Sequence, residues 1–137
     1  MEHLVCDSSV IVASLIESEE FHQRGLHYLI GLENSEYAFH MPMLVAIEVA
    51  SAIGRRSSGN RQAILAAWHR NIEDWERDGK IVLYTLGRVR MEHAVVIAEQ
   101  DRLRGADSVI AALAEELSLP LKTFDQEMQR RFAGASG

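Results

Sequence analysis

The sequence predicts an α/β fold with a parallel sheet covered by helices on both faces. Three observations predict it. Short apolar runs rich in β-branched residues, such as Leu4-Val5-Cys6 and Ile81-Val82-Leu83, read as strands buried on both sides. Longer stretches with apolar residues at helical spacing separate these runs, and strands alternating with helices form parallel sheets. The first run ends in Asp7, followed by Ser8-Ser9 and a second apolar run, Val10-Ile11-Val12-Ala13. That puts an acid at the carboxyl end of a first strand, where open α/β sheets gather their ligands.

Each element follows from its own pattern. Ser8-Ser9 makes the strand-to-helix turn, with a serine as N-cap, and 10–16 is a short helix. Residues 17–20 are a polar interruption. Phe21, Tyr28, Leu29 and Leu32 mark one face of a second helix. Residues 34–36 turn the chain into a weak strand over 37–40. Pro42 opens a third helix, where its missing N–H costs nothing. That helix is apolar or small from 43 to 53 except for Glu48, and 55–60 is its polar exit. Ile64, Leu65, Trp68, Ile72 and Trp75 define a long amphipathic helix over 61–77, with Gly79 as its C′ residue. Residues 80–86 form a strand. Residues 89–103 form a helix with Met91, Ala94, Val95 and Ala98 on one side, broken at Gly105. Asp107 starts a helix through Leu117 that turns Val109, Ile110, Leu113, Ala114 and Leu117 inward, and Pro120 ends it. Residues 121–124 are the last strand, closed by Asp125; 126–132 is a terminal helix, and 133–137 is frayed. No repeat or linker divides the chain, so residues 1–137 read as one domain with a substantial core.

Composition narrows the class. Hydrophobic residues at 47% and charged residues at 25% suit a soluble globular protein. The longest apolar run, 41–47, is too short to span a bilayer, and Glu2 and His3 do not form the basic start of a secretory signal. The lone Cys6 excludes an internal disulfide and fits a reducing compartment, so a cytoplasmic protein is expected. A net charge of −6 without a basic block argues against a general phosphate-binding module. It leaves room for a nuclease, whose metal site contributes its own acids.

Four of the 20 acids stand apart. Glu17, Glu19, Glu20, Glu73, Asp74, Glu76 and Asp78 lie in polar stretches and read as solvated surface. Asp7, Glu48, Asp107 and Asp125 instead sit alone among apolar residues. A buried carboxylate without a partner is costly. Few bases flank these four, and a hard divalent cation such as magnesium or manganese compensates them better. Asp7, Asp107 and Asp125 each also suit a helix cap. Glu48 lies inside its helix, where the alternatives are a buried ion pair or an edge facing water. Taken together, the four are expected to converge on one metal site.

At these residues the chain resembles the PIN-domain family, and within it the VapC toxin ribonucleases. The opening Val5-Cys6-Asp7-Ser8-Ser9-Val10-Ile11-Val12-Ala13 matches the family's first acidic strand. Glu48 in the Ala- and Leu-bearing helix after Pro42 matches its second acid. Asp107 opening Ser108-Val109-Ile110-Ala111-Ala112 matches the third, and Thr123-Phe124-Asp125 matches its Thr-x-Asp. Nearly the whole chain is covered. The resemblance implies a three-layer α/β/α fold with a mostly parallel sheet of four or five strands. It implies a magnesium- or manganese-dependent endoribonuclease acting on RNA, usually a homodimer, blocked in toxin–antitoxin pairs by a small antitoxin that often inserts an arginine. Asp7 and Asp107 would be the central ligands, with Glu48 and Asp125 completing the cluster. Ser9 and Thr123 would donate hydrogen bonds to carboxylate or phosphate, or serve as a cap and a strand residue. Ser8 stands where threonine is commoner, and the acidic charge departs from what an RNA-binding surface favours.

Other residues carry weaker signals. Arg55, Arg56, Arg61, Arg102, Arg104, Arg130 and Arg131 are candidates for phosphate contact. The six histidines show no metal-ligand spacing. Trp68 and Trp75 suit a core or a dimer face. Two alternatives to the nuclease stand beside it: a PIN-like module binding RNA or protein without turnover, and a phosphatase of the haloacid-dehalogenase type with Asp7 as nucleophile. The phosphatase would want an Asp where Ser9 stands.

Overall fold

In the computed structural model, which describes residues 1–56 and 59–137, β1 is Glu2–Cys6 and lies at the centre of the sheet. Its neighbours are β2 (Tyr37–Pro42) and β4 (Leu121–Lys122); β3 (Ile81–Tyr84) lies outside β2, and β5 (Ala135–Ser136) outside β4. All four pairings are parallel, in the order β3-β2-β1-β4-β5. The helices are α1 (Ser8–Leu15), α2 (His22–Glu33), α3 (Met43–Arg56), α4 (Arg61–Arg77), α5 (Arg88–Asp101), α6 (Gly105–Leu117) and α7 (Gln126–Arg131).

Alternation along the strands separates two helical layers. Phe39 and Ile81 share a small cavity with Val10 and Ile11 of α1, Leu32 of α2, and Trp68 and Trp75 of α4. Pro42 and Tyr84, which point to the other side of the sheet, meet Arg90 and His93 of α5 and Val109 and Leu113 of α6. The core is therefore double. Both tryptophans are buried in it, as are Leu4, Val5, Met41, Ile53, Ile110, Leu121 and Met128.

Strand order positions the site. The chain builds outward from β1 through β2 to β3, then returns to add β4 and β5 on the opposite edge of β1. The order reverses between β1 and β4, and crevices in open α/β sheets open at that point, beyond the carboxyl ends of the strands. Asp7 follows β1 and Asp125 follows β4, so both face the switch point. α1 is held close to α2 because Gly25 has no side chain: a Cβ there would lie 2.6 Å from the Ser14 backbone nitrogen.

Several boundaries differ from the sequence expectations. Asp7, not a serine, is the N-cap of α1, and Ser8 is its first helical residue. Pro42 still pairs with Tyr84 at the end of β2 and does not sit inside α3; a strand end tolerates its missing N–H. α3 runs to Arg56, and residues 57–58 of the expected polar exit lie outside the described residues. On α5 the buried residues are Ala94 and Ile97, while Met91 and Val95 are exposed. The helix is an outer one packed along α6, and only a narrow stripe of it meets the core. The final segment is not frayed: β5 adds to β4, and the Tyr28 hydroxyl donates to the Gly137 carbonyl at 3.3 Å. A two-residue strand has too little periodicity to be read from sequence.

Candidate metal centre

Asp7 is almost wholly buried, and both of its carboxylate oxygens are held. Oδ1 accepts from the Ser9 amide at 3.0 Å and from the Ser9 hydroxyl at 2.5 Å; Oδ2 accepts from the Thr123 hydroxyl. Each hydroxyl is itself anchored. Ser9 Oγ accepts from the Phe124 amide at 2.9 Å, and Thr123 Oγ1 from the Asp125 amide at 3.0 Å. Hydroxyls that accept from backbone N–H groups have their protons left for the carboxylate, so the network fixes Asp7 as an acceptor in one orientation. It also ties the end of β1 to the end of β4.

The other acids arrive from separate elements. Glu48 lies in the second turn of α3, half-buried. Asp107 lies in the first turn of α6 with its side chain 19% exposed, and Arg104 approaches it only to 3.9 Å. It does not cap its helix; Arg104 occupies that position. Asp125 is the N-cap of α7, accepting at Oδ1 from the Glu127 amide at 2.8 Å and the Met128 amide at 3.3 Å. Capping and convergence thus coincide at Asp7 and Asp125. All four acids line one cleft of about 570 Å³, with Ser8, Ser9, Arg55, Arg56 and Arg104. Thr123 stands behind Asp7, fully buried.

The carboxylates feel one another. Burial raises the pKa of Asp7 to about 6, against the hydrogen bonds from Ser9 and Thr123, and Asp107 pushes it further up. Burial, then Asp7 and Asp107, raises Glu48; the Ser8 hydroxyl works in the opposite direction. Burial and Asp125 raise Asp107, while Arg104 lowers it.

The acids share the cleft without closing into a ready-made cage: among the described residues no three acid, histidine or cysteine side chains gather closely enough to hold an ion as they stand. The donors nevertheless fit a hard divalent ion. All are carboxylates, which suit magnesium or manganese. Among the described residues Glu48 Oε1 is buried with no hydrogen-bond partner, and a buried polar atom of that kind calls for one.

A family model for the PIN domain matches residues 4–134. The chain belongs to the PIN-domain family. PIN domains are typically metal-dependent nucleases. Solved structures with this PIN fold include FitAcB from Neisseria gonorrhoeae, 17% identical at a TM-score of 0.72, with 96% of this chain and 94% of that one covered. VapC20 from Mycobacterium tuberculosis, a sarcin–ricin loop cleaving toxin, is 14% identical at a TM-score of 0.71, with 93% of each chain covered. A toxin–antitoxin complex from Klebsiella pneumoniae is 13% identical at 0.66, with 98% of this chain and 96% of that one covered. At these identities the likeness is one of fold. No curated protein matches the sequence.

The arginines divide. Arg55, Arg56 and Arg104 line the cleft of this PIN domain. Arg61 instead donates to the Gly54 carbonyl at 2.9 Å. Arg131 donates to the Arg102 carbonyl and pairs with Glu127 at 3.1 Å. Arg102 sits in a left-handed turn (φ 55°) and does not line the cleft, unlike its expected companion Arg104. Two contributors were not singled out from the sequence as part of the site: Ser8, beside Glu48, and Glu127, which pairs with Arg104 at 3.2 Å. Only the order Asp-Ser-Ser pointed toward Ser8, and nothing in the linear pattern pointed toward Glu127.

Proposed function

We propose that this PIN domain is a magnesium- or manganese-dependent endoribonuclease that cleaves RNA phosphodiester bonds as the toxin of a toxin–antitoxin pair. The observation that carries the proposal is the meeting of four carboxylates from four elements in one cleft, with Glu48 Oε1 buried and unpartnered among the described residues. Asp7, Glu48, Asp107 and Asp125 would hold the ion. When bound, it supplies a Lewis acid toward phosphate and brings the pKa of a water toward neutrality.

The chain's own residues do the rest. Ser9 and Thr123 hold Asp7 in one rotamer, which lowers the reorganisation needed on binding. Four carboxylates face three guanidinium groups in the cleft. The cleft is therefore net negative toward phosphate, and a bound divalent ion would offset that charge. Arg55, Arg56 and Arg104 then meet the RNA backbone at the rim. The phosphatase alternative is disfavoured because Ser9 stands where that chemistry wants a second acid.

Partners follow from the surface. An excess of acids in the cleft suits an inhibitory arginine from a small antitoxin, and solved neighbours of this fold include toxin–antitoxin complexes. Exposed Met43 and Ile47 on α3, with Leu86, Val89, Val95 and Val96 on and before α5, suit a homodimer.

The test is cleavage of a mixed RNA pool, with manganese or magnesium, by wild type and by Asp107→Asn. Cutting by wild type and a loss of at least 100-fold in the variant are expected. Equal cutting by both would remove Asp107 from the site. Binding of RNA without cutting by either would favour the module that acts without turnover.

A further inference from the structure

A second cavity, of about 280 Å³, opens beside the acidic cleft and shares Ser9, Arg56 and Asp125 with it. Its far wall is Phe21, Phe124, Glu19 and Glu20. The two rings pack at 5.3 Å between centroids. Phe124 is buried and Phe21 half-buried, so Phe124 supports and Phe21 presents the surface. The Arg24 guanidinium rests 5.5 Å from the Phe21 centroid and 5.0 Å from that of Phe124, and does not line the cavity. Arg56 stands at the seam, donating to Glu19 at 2.9 Å.

On the nuclease reading above, we infer that this cavity is a subsite for one unpaired nucleobase of the RNA, stacked on Phe21 with its amino-bearing edge toward Glu19 and Glu20. An aromatic surface takes any base by stacking, and single-stranded RNA is read in this way with hydrogen bonds to the base edges. The two carboxylates decide which end of the nucleotide enters. They repel a phosphate and accept from N–H donors, as carboxylates do from the amino group of cytosine. Guanine, cytosine and adenine each carry an amino group on the pairing edge; uracil offers only its ring N–H there. The phosphate belongs at the seam, where the Arg56 guanidinium can exchange part of its contact with Glu19 for it. One nucleotide in the subsite thus sets which phosphate lies over the acids.

Mononucleotides contain no internucleotide bond, so their binding is read separately from cleavage. The experiment titrates the whole 15N-labelled protein with guanosine, cytidine and uridine 5′-monophosphates, following the amides of Ser9, Ala13 and Asp125. Saturable shifts are expected, tightest for guanosine and cytidine. Phe21→Leu, which keeps apolar packing on Phe124, should weaken all three by about tenfold, the loss of one base–aromatic stack; Phe21→Trp should retain them. The pair Glu19→Gln with Glu20→Gln should erase the preference over uridine. Absence of saturable shifts, or identical affinities in Phe21→Leu and wild type, overturns the subsite. Nucleotide binding by a wild type that cuts no RNA removes the nuclease reading and leaves the subsite standing.

Discussion

Asp7 decides how the molecule responds to protons and to metal. Its pKa in the fold is about 6, raised first by burial; an unfolded aspartate titrates at about 3.9. A folded state that holds its proton more tightly is favoured at low pH, and this contribution is lost as pH rises through about 4 to 6. Two pKa units correspond to roughly 3 kcal/mol. Glu48 and Asp107 shift in the same direction. His40 acts oppositely, because burial lowers its pKa, so Asp7→Asn is needed to isolate the effect of the carboxylate. In EDTA the wild-type Tm is expected to gain less, or lose more, between pH 5 and pH 7.5 than that of Asp7→Asn. At pH 7.5 manganese should raise the wild-type Tm by linkage, with little gain in the variant. Thermal melts of both proteins across that grid are the measurement, and curves indifferent to EDTA and manganese would count against an ion at the cleft. At this scale the sequence was informative for a physical reason: an acid flanked by apolar residues is conspicuous because burying it is costly. What it concealed was that Asp7 and Asp125 cap helices and face the cleft at once. Capping uses a single oxygen of Asp125, so the two roles do not compete there.

Elements were legible where they are long. The helix over 61–77 is α4 to the residue, and Gly79, at φ +73°, follows it as expected. β5 escaped because it is two residues long and gains its identity only from β4, whose partner residues Leu121 and Lys122 it meets in register. The stripe of α5 was misplaced because Met91 and Val95 are as apolar as core residues, and periodicity alone does not say which face is covered. The junction of α1 with α2 was not visible either, since a glycine in a helix carries no pattern. Its test compares two glycines. A Cβ at Gly25 would meet backbone atoms at 2.6 and 2.9 Å, which a rotamer change cannot relieve. Gly25→Ala should therefore cost about 1–3 kcal/mol. By carrying α1 away from α2, it should also disturb the Ser9–Asp7 pair at the other end of that helix. Gly54, inside α3, has nothing among the described residues within 4 Å of an added Cβ. Gly54→Ala should stabilise by roughly 0.5–1 kcal/mol, the ordinary helical preference for alanine. Urea unfolding of both variants checks the contrast; equal effects would mean that α1 and α2 do not depend on close approach at Gly25.

For the molecule as a whole, alternation of strands and helices announced a parallel sheet, but not that β1 would be central. Strand order is a non-local property, and here it is what brings Asp7 and Asp125 to one crevice while α3 and α6 deliver Glu48 and Asp107 from either side. The same architecture leaves large apolar side chains exposed on α3 and α5. Val89 is 80% and Ile47 71% exposed, with Met43 and Leu86 near one half. Pro42, which precedes Met43, lines one cavity with Leu86, and Ile47 lines the acidic cleft itself. Scattered exposed apolar residues are normal, and the homodimer proposed above would cover those on α3 and α5. A dimer closed over this face would bury it and set two acidic clefts near one another, where a long RNA could meet both. Sedimentation velocity at micromolar concentration should accordingly give a dimer. Val89→Asp with Val96→Asp, both on the exposed side of α5, should convert it to a monomer while leaving the thermal melt within about 0.5 kcal/mol of stability, as for surface substitutions. A monomeric wild type would refute the dimer. Dissociation accompanied by loss of the fold would show that α5 is needed by the core of the protomer, and would move the interface elsewhere.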